Sequence, residues 1–226
     1  MALQIPLGLK LREEDAFSNF VAVGNEQLVA SLQRDDDKMM FIWGGASIGK
    51  SHLLHAWCKA QAEAGRSVAF LPLAQHAELS PEMCEGLETM DVVGLDDVQL
   101  IAGMQAWEEA LFHLFNRLRD AGKHILIAGE AAPNGLGLKL KDLVSRLNAM
   151  LVMQVVDLSD QAKINVLKQK ASDRGLELSN DVGQFLLRHY PRDMAKLVAL
   201  LNQLDHASLA AQRRLTIPFV KQVIQA

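Results

Sequence analysis

Eight consecutive residues, Gly44-Gly45-Ala46-Ser47-Ile48-Gly49-Lys50-Ser51, satisfy the spacing G-x-x-x-x-G-K-[ST]. Glycines at those positions let the backbone wrap until its N–H groups, with the first amides of a following helix, face phosphate oxygens. Lys50 adds a point charge for the terminal phosphates, and Ser51 offers a hydroxyl to a magnesium ion. The chemistry implied is capture of the polyphosphate of ATP or ADP together with Mg2+. A second, acidic element belongs with it. The apolar run Val92-Val93-Gly94-Leu95 ends in Asp96-Asp97, so two carboxylates emerge where a buried strand gives out. Asp96 is suited to hold magnesium through its water shell, and Asp97 to orient or polarise an attacking water.

Such residues work only if several strand ends meet, so the surrounding pattern decides whether they can. Five short apolar or β-branched runs read as strands: Met39 to Trp43, Ser67 to Leu71, Val92 to Leu95, His124 to Ala128 and Leu151 to Val156. Amphipathic segments lie between them. Lys50 to Ala64 carries Leu53, Leu54, Trp57 and Cys58 at helical spacing and ends near Gly65; Gln105 to Ala121 repeats Trp107, Leu111, Leu114, Phe115 and Leu118 and stops at Gly122. Ser80-Pro81-Glu82 reads as a cap, a first-turn proline and an acidic residue opening a third crossover helix. This alternation predicts a five-stranded parallel sheet between helices. After Val156 the strand pattern stops, and Asp160 to Arg174, Asn180 to His189, Asp193 to Ala211 and Pro218 to Ile224 all read as helices, the last capped by Thr216. The division expected is an extended tail over 1–14, an αβα nucleotide-binding domain over 15–156 and a small all-helical lid over 157–226.

Composition sets limits. Half of the 226 residues are hydrophobic and 22% are charged, enough to bury a sizeable core. A formal net charge of −4 argues against a surface that grips nucleic acid nonspecifically, although Arg213-Arg214 is a local basic pair. Two cysteines, Cys58 and Cys84, are too few for a disulfide framework, and no apolar run approaches the roughly 20 residues that span a bilayer. No export signal is legible, so a cytoplasmic setting is expected. His52 and His55 stand three apart on a helix, but no third ligand of suitable spacing follows, so packing or surface roles outweigh a metal site. Trp43, Trp57 and Trp107 read as core aromatics.

Asp96-Asp97-Val98-Gln99-Leu100-Ile101-Ala102-Gly103, followed by Phe112-His113-Leu114-Phe115-Asn116, resembles the acidic-strand region of the DnaA family of AAA+ proteins. Phe17-Ser18-Asn19-Phe20-Val21 is similar to that family's entry segment. The likeness runs from about Phe17 to Leu204 and does not reach the family's C-terminal helix-turn-helix domain. It implies an AAA+ P-loop fold, with Asn19, Phe20, Val21 and His52 beside the nucleotide as well as the phosphate loop. Ser145-Arg146-Leu147 matches the element that carries the family's arginine finger, with Leu147 where phenylalanine is usual. Arg192, opening a lid helix, takes the place of the sensor that reaches the nucleotide from the lid. Glu130 falls where a Ser-Asp pair is usual, and Asp97 where glutamate is commoner. Both departures point to weak intrinsic turnover at most.

Within the family, Gln4-Ile5-Pro6-Leu7-Gly8-Leu9 looks like the Q-L-x-L-x-L peptide with which DnaA-related regulatory inactivators bind the DNA polymerase sliding clamp. An extended segment suits a groove, with Gln4 fixing register and Ile5, Leu7 and Leu9 offering apolar contacts; a tail without a partner is the bland alternative. The run from Ser208 to Lys221 also resembles the end of those regulators. The resemblance therefore implies a protein that, with the DNA-loaded clamp, stimulates hydrolysis of DnaA-bound ATP and represses initiation, meeting DNA mainly through the clamp. The alternative from a different class is an ATP-driven loader or remodeller acting on DNA or a helicase. Self-association is left open.

Overall fold

The computed structural model describes residues 16–34, 36–211 and 214–224. The chain divides into two compact units, residues up to 46 with 50–156, and residues 47–49 with 157 onward. The first unit is built on a five-stranded sheet of β1 (Met39–Trp43), β2 (Val68–Pro72), β3 (Val92–Asp96), β4 (His124–Gly129) and β5 (Leu151–Gln154). Spatial order is β2-β3-β4-β1-β5, and every pairing is parallel. All strand C-termini therefore lie along one edge, the arrangement that lets a loop after β1 meet acids after β3. Strands β1 to β4, the edge strand β2 included, are buried through their middles, as apolar runs covered on both faces must be.

Helices α1 (Glu26–Arg34), α2 (Lys50–Glu63), α3 (Gln105–Asp120) and α4 (Lys141–Asn148) accompany the sheet. The end of α2 follows from chain chemistry. Gly65 adopts φ +83°, open to glycine at little cost, and the chain turns back so that the Arg66 and Gly65 amides donate to Gln61 and Ala62 carbonyls. One core runs under the sheet through Phe41, Leu71, Val93, Leu95, Trp107, Leu114, Ile125 and Leu147. Trp57 is buried and Trp43 half-buried, so the three tryptophans do serve as core aromatics. Both cysteines are free and buried, and burial pushes each thiol up to about 12.

Two expectations need correction. The crossover from β2 to β3 holds no α-helix, only short 3-10 turns at Leu73–Gln75, Pro81–Cys84 and Leu87–Thr89. Pro81 does open a turn, but Gly86 takes a left-handed conformation (φ +78°) immediately after it, and Leu73, Cys84 and Leu87 enter the core without helical period. Arg117 of α3 pins the segment by donating to Glu88 Oε2 at 2.9 Å and to the Cys84 carbonyl at 2.7 Å. Strand β5 also stops two residues short of Val156, because the backbone there is taken by the side chain of Asn25.

The second unit holds α5 (Asp160–Ser172), α6 (Asn180–His189), α7 (Met194–Ala211) and α8 (Ile217–Ile224) around a core of its own that includes Leu167, Leu186, Leu201, Leu204 and Val220. Ser159 and Ser179 cap α5 and α6 by accepting from Ala162 and Val182 amides, and Thr216 accepts from Phe219 at the start of α8. Among the described residues no helix is long and apolar enough to cross a membrane.

Candidate functional site

The phosphate loop joins β1 to α2, as its sequence requires. Gly49 sits at φ +98°, where a side chain would be strained, and Ser47 holds a left-handed φ of +59° despite having one. Lys50 begins α2 and is 6% exposed. Its ammonium donates to the Gly44 and Gly45 carbonyls at 2.8 and 2.7 Å, which folds the loop around its own cation. Burial pushes the lysine below its ordinary pKa, while the carboxylates of Asp97, Glu130 and Asp96 pull the other way. These four charges therefore stand close enough to feel one another at one end of the sheet.

Asp96 closes β3 and is buried, so desolvation holds its carboxyl above the usual carboxylate range. The Ser51 hydroxyl, hydrogen-bonded to that carboxyl, opposes the shift, and the Asp97 charge adds to it. Among the described residues, Asp97 is one of two non-glycine residues with positive φ, at +58°. A left-handed aspartate costs on the order of 1 kcal/mol and persists only where its surroundings hold it. Gln99 supplies the hold: its Nε2 donates to Asp97 Oδ1 at 2.9 Å, and its Oε1 accepts from the Glu130 amide at 3.1 Å. One side-chain amide thus braces the ends of β3 and β4. No sequence signal marked Gln99 for this work beyond its place after the acidic pair.

Part of the entry segment meets the loop helix. Phe17–Asn19 forms a 3-10 turn against α2, the Phe20 ring lies 5.8 Å from that of His52, and His52 Nε2 is 3.0 Å from the Ala16 carbonyl. His52 is thus an anchor for the segment containing Asn19, Phe20 and Val21. His55 packs edge-on against Phe70. Asn25, not singled out in the sequence, is buried and clamps Val156 reciprocally, accepting from its amide at 2.8 Å and donating to its carbonyl at 2.9 Å. The pattern Leu28, Val29, Leu32 after an asparagine is the signal that would have exposed both Asn25 and α1.

Arg146 occupies the last turn of α4, is half-buried, and among the described residues has no ion-pair or hydrogen-bond partner. It is not among the charges acting on Lys50. Its helix was not picked out in the sequence; eight residues give too little length for periodicity to register, although Leu143 and Leu147 are both buried. Arg192 precedes α7 rather than opening it, because the helix starts at Met194. It is exposed and lies 3.5 Å from Asp160, not paired with Asp193, whose carboxylate caps α7 through the Lys196 amide. Gln4, Ile5, Leu7 and Leu9, the whole of 1–14, and Arg213 lie outside the described residues.

The donor set fits the polyphosphate of a nucleotide with its magnesium ion: a glycine loop leading into a helix N-terminus, a buried cation, and a serine hydroxyl already bonded to a buried carboxylate. A desolvated, hydrogen-bonded lysine whose partners are loop carbonyls is poised to exchange them for phosphate oxygens. Residues 13–157 match the model of the bacterial DnaA ATPase domain, and residues 160–224 match that of the Hda lid domain. Solved structures repeat the fold. AMPPCP-bound DnaA from Aquifex aeolicus is 24% identical with a TM-score of 0.69, over 85% of this chain and 66% of that one. Domain III of DnaA from Thermotoga maritima is 21% identical with a TM-score of 0.69, over 94% and 96%. A RuvB variant from that genus is more remote, at 16% identity and a TM-score of 0.60 over 95% and 72%. The chain thus spans about two thirds of the first of these DnaA proteins, and its nucleotide-binding unit alone accounts for more than half of its own length. With that match in place beside the geometry of Lys50, Asp96 and Asp97, the chain belongs to the family of the bacterial DnaA ATPase domain, with a lid of the Hda type.

Proposed function

We propose that this protein is a DnaA-related regulator that, with the DNA-loaded sliding clamp, stimulates hydrolysis of DnaA-bound ATP and so represses initiation. The observation that carries the reading is Arg146: a guanidinium set on a helix packed against the sheet unit, with no carboxylate partner among the described residues, in a chain whose parts match a DnaA ATPase domain and an Hda lid. A guanidinium delivered to a neighbouring subunit's γ-phosphate stabilises transition-state charge and is worth about 10³ to 10⁵ in rate.

In this reading the chain's own nucleotide is a structural element. Gly44 to Gly49 wrap the phosphates with backbone amides, Lys50 meets the terminal oxygens, and Ser51 with Asp96 would hold magnesium. Magnesium supplies neutralisation of phosphate charge when bound. Asn19, Phe20, Val21 and His52 border the base side in this proposal, and Arg192 is the proposed nucleotide-sensing residue. Asp97 and Glu130 are the groups nearest to hydrolytic chemistry, yet Asp97 is short and its Oδ1 is engaged by Gln99, which supports weak intrinsic turnover. Gln4, Ile5, Leu7 and Leu9 tether the protein to the clamp, and DNA is met through that clamp.

The test follows ATP pre-bound to DnaA, with and without clamp on DNA, for wild type, Arg146→Ala and a chain lacking residues 4–9. The expected result is at least about a hundredfold slower stimulated hydrolysis for Arg146→Ala and loss of clamp dependence for the shortened chain. Wild-type rates from both variants would overturn the reading. Rapid hydrolysis by the chain alone, abolished by Asp97→Asn, would favour the ATP-driven remodeller instead.

A further inference from the structure

Glu108, in the first turn of α3, is 1% exposed and takes no part in the site described above. A carboxylate so deeply buried needs compensation, and here it comes entirely from backbone amides. Oε1 accepts from Gly103 N at 2.6 Å and from Lys139 N at 3.1 Å, while Oε2 accepts from Lys139 N at 2.8 Å and Leu140 N at 2.7 Å. Two of the three amides belong to the residues that lead directly into α4, the helix that carries Arg146.

That helix has little else to define where it begins. It runs for 8 residues, and the residue before it, Leu140, offers no side-chain cap. Leu143 and Leu147, one turn apart and buried in the core with Trp107 and Leu111 of α3, fix which way α4 is rotated. Apolar contacts are non-directional and leave sliding along the axis weakly specified. A charged acceptor bonded to the Lys139 and Leu140 amides is directional and supplies the missing coordinate. The Gly103 bond ties the same carboxylate to the turn that follows Asp97.

We infer that Glu108 is the positioning residue for Arg146: by gripping the amides of Lys139 and Leu140 it sets the axial register of α4 and so the reach of its guanidinium. This rests on the trans-acting role of Arg146 proposed above. Glu108→Gln is the sharp probe, since it keeps the shape while placing an amide N–H₂ against backbone donors. In the DnaA-bound ATP assay with clamp on DNA, the maximal stimulated rate is expected to fall about tenfold or more. The concentration of the chain giving half-maximal stimulation, and its own ADP affinity by calorimetry, stay at wild-type values. Hydrogen exchange should quicken at Lys139 and Leu140 with the sheet strands unchanged, a pattern that general destabilisation does not give. Should Glu108→Gln fail to fold, Glu108→Asp, which cannot reach all three amides, is read by the same criteria.

A wild-type maximal rate from a Glu108 variant whose Lys139 and Leu140 amides exchange faster overturns the inference, provided Arg146→Ala is impaired in the same assay. Unchanged exchange at those amides overturns it as well. If Arg146→Ala itself is fully active, the trans-acting reading has failed and the positioning role falls with it.

Discussion

Asp91 and Asp96 stand at opposite ends of β3, and their charges are handled in opposite ways. Asp91, just before the strand, is surrounded by donors: Lys123 Nζ at 2.9 Å, the Ser67 hydroxyl at 2.7 Å and the Ser67 amide at 3.0 Å. The lysine first, then the serine, hold its carboxyl well below the usual carboxylate range. Asp96 closes the same strand in a buried setting that pushes its carboxyl up, and its neighbour Asp97 is held left-handed. One end of the sheet satisfies its charge internally. The other keeps charge at a cost that an incoming cation can relieve, which is how stability and function come to be divided along a single strand.

That contrast can be broken in three places. The largest effect belongs to Lys50→Ala, which should weaken ADP and ATP binding by about a hundredfold or more. Calorimetry measures this, and the nucleotide-free protein should melt within about 2 °C of wild type. Equal loss of thermal stability would mean that the loop end is scaffold as much as the base end is.

Next comes Asp96→Asn. Because Asp96 has a raised pKa in the fold, its ionised form opposes folding, and that penalty is relieved as pH falls through the folded value. The variant should melt about 2 to 4 °C higher at pH 7 without nucleotide, with the advantage closing as the solution is acidified. The part of nucleotide affinity that depends on magnesium should disappear. A variant less stable than wild type at neutral pH would place Asp96 with the satisfied charges and erase the contrast.

The smallest effect is expected for Asp91→Asn. A depressed folded pKa contributes stability above the ordinary carboxylate value of about 3.9, and that contribution is lost as pH falls through the folded value. The midpoint should drop by about a degree at pH 7 and converge with wild type in acid, while nucleotide affinity is unaltered. Any change in affinity would show that the two ends are not independent.

What could be read in advance follows the same physical line. The parallel sheet, α2, α3 and the helical unit were legible because long apolar periods and glycine stops leave a strong local record, and the phosphate loop because its chemistry demands contiguous residues. Pro81 misled: a start signal is local, whereas the helix it should open was cancelled by Gly86 and by irregular anchoring of Cys84 and Leu87 in the core. Short α4 left too few turns to register. Gln99 and Glu108 were invisible as a class, since each bonds backbone groups distant in sequence, and their amide or carboxylate chemistry carries no spacing. Arg192 sits one step outside the helix it seemed to open, because Asp193 caps α7 instead.

Gly94, in the middle of β3, shows how tightly α2 is seated. A β-carbon there would stand 2.8 Å from Cys58 Sγ, with Phe70 and Leu54 at 3.3 and 3.4 Å. The helix that brings Lys50 and Ser51 and the strand that brings Asp96 are therefore spaced by a missing side chain. An alanine at 94 would force the Cys58 thiol to give way, so the residue tolerated at one of these positions constrains the residue tolerated at the other.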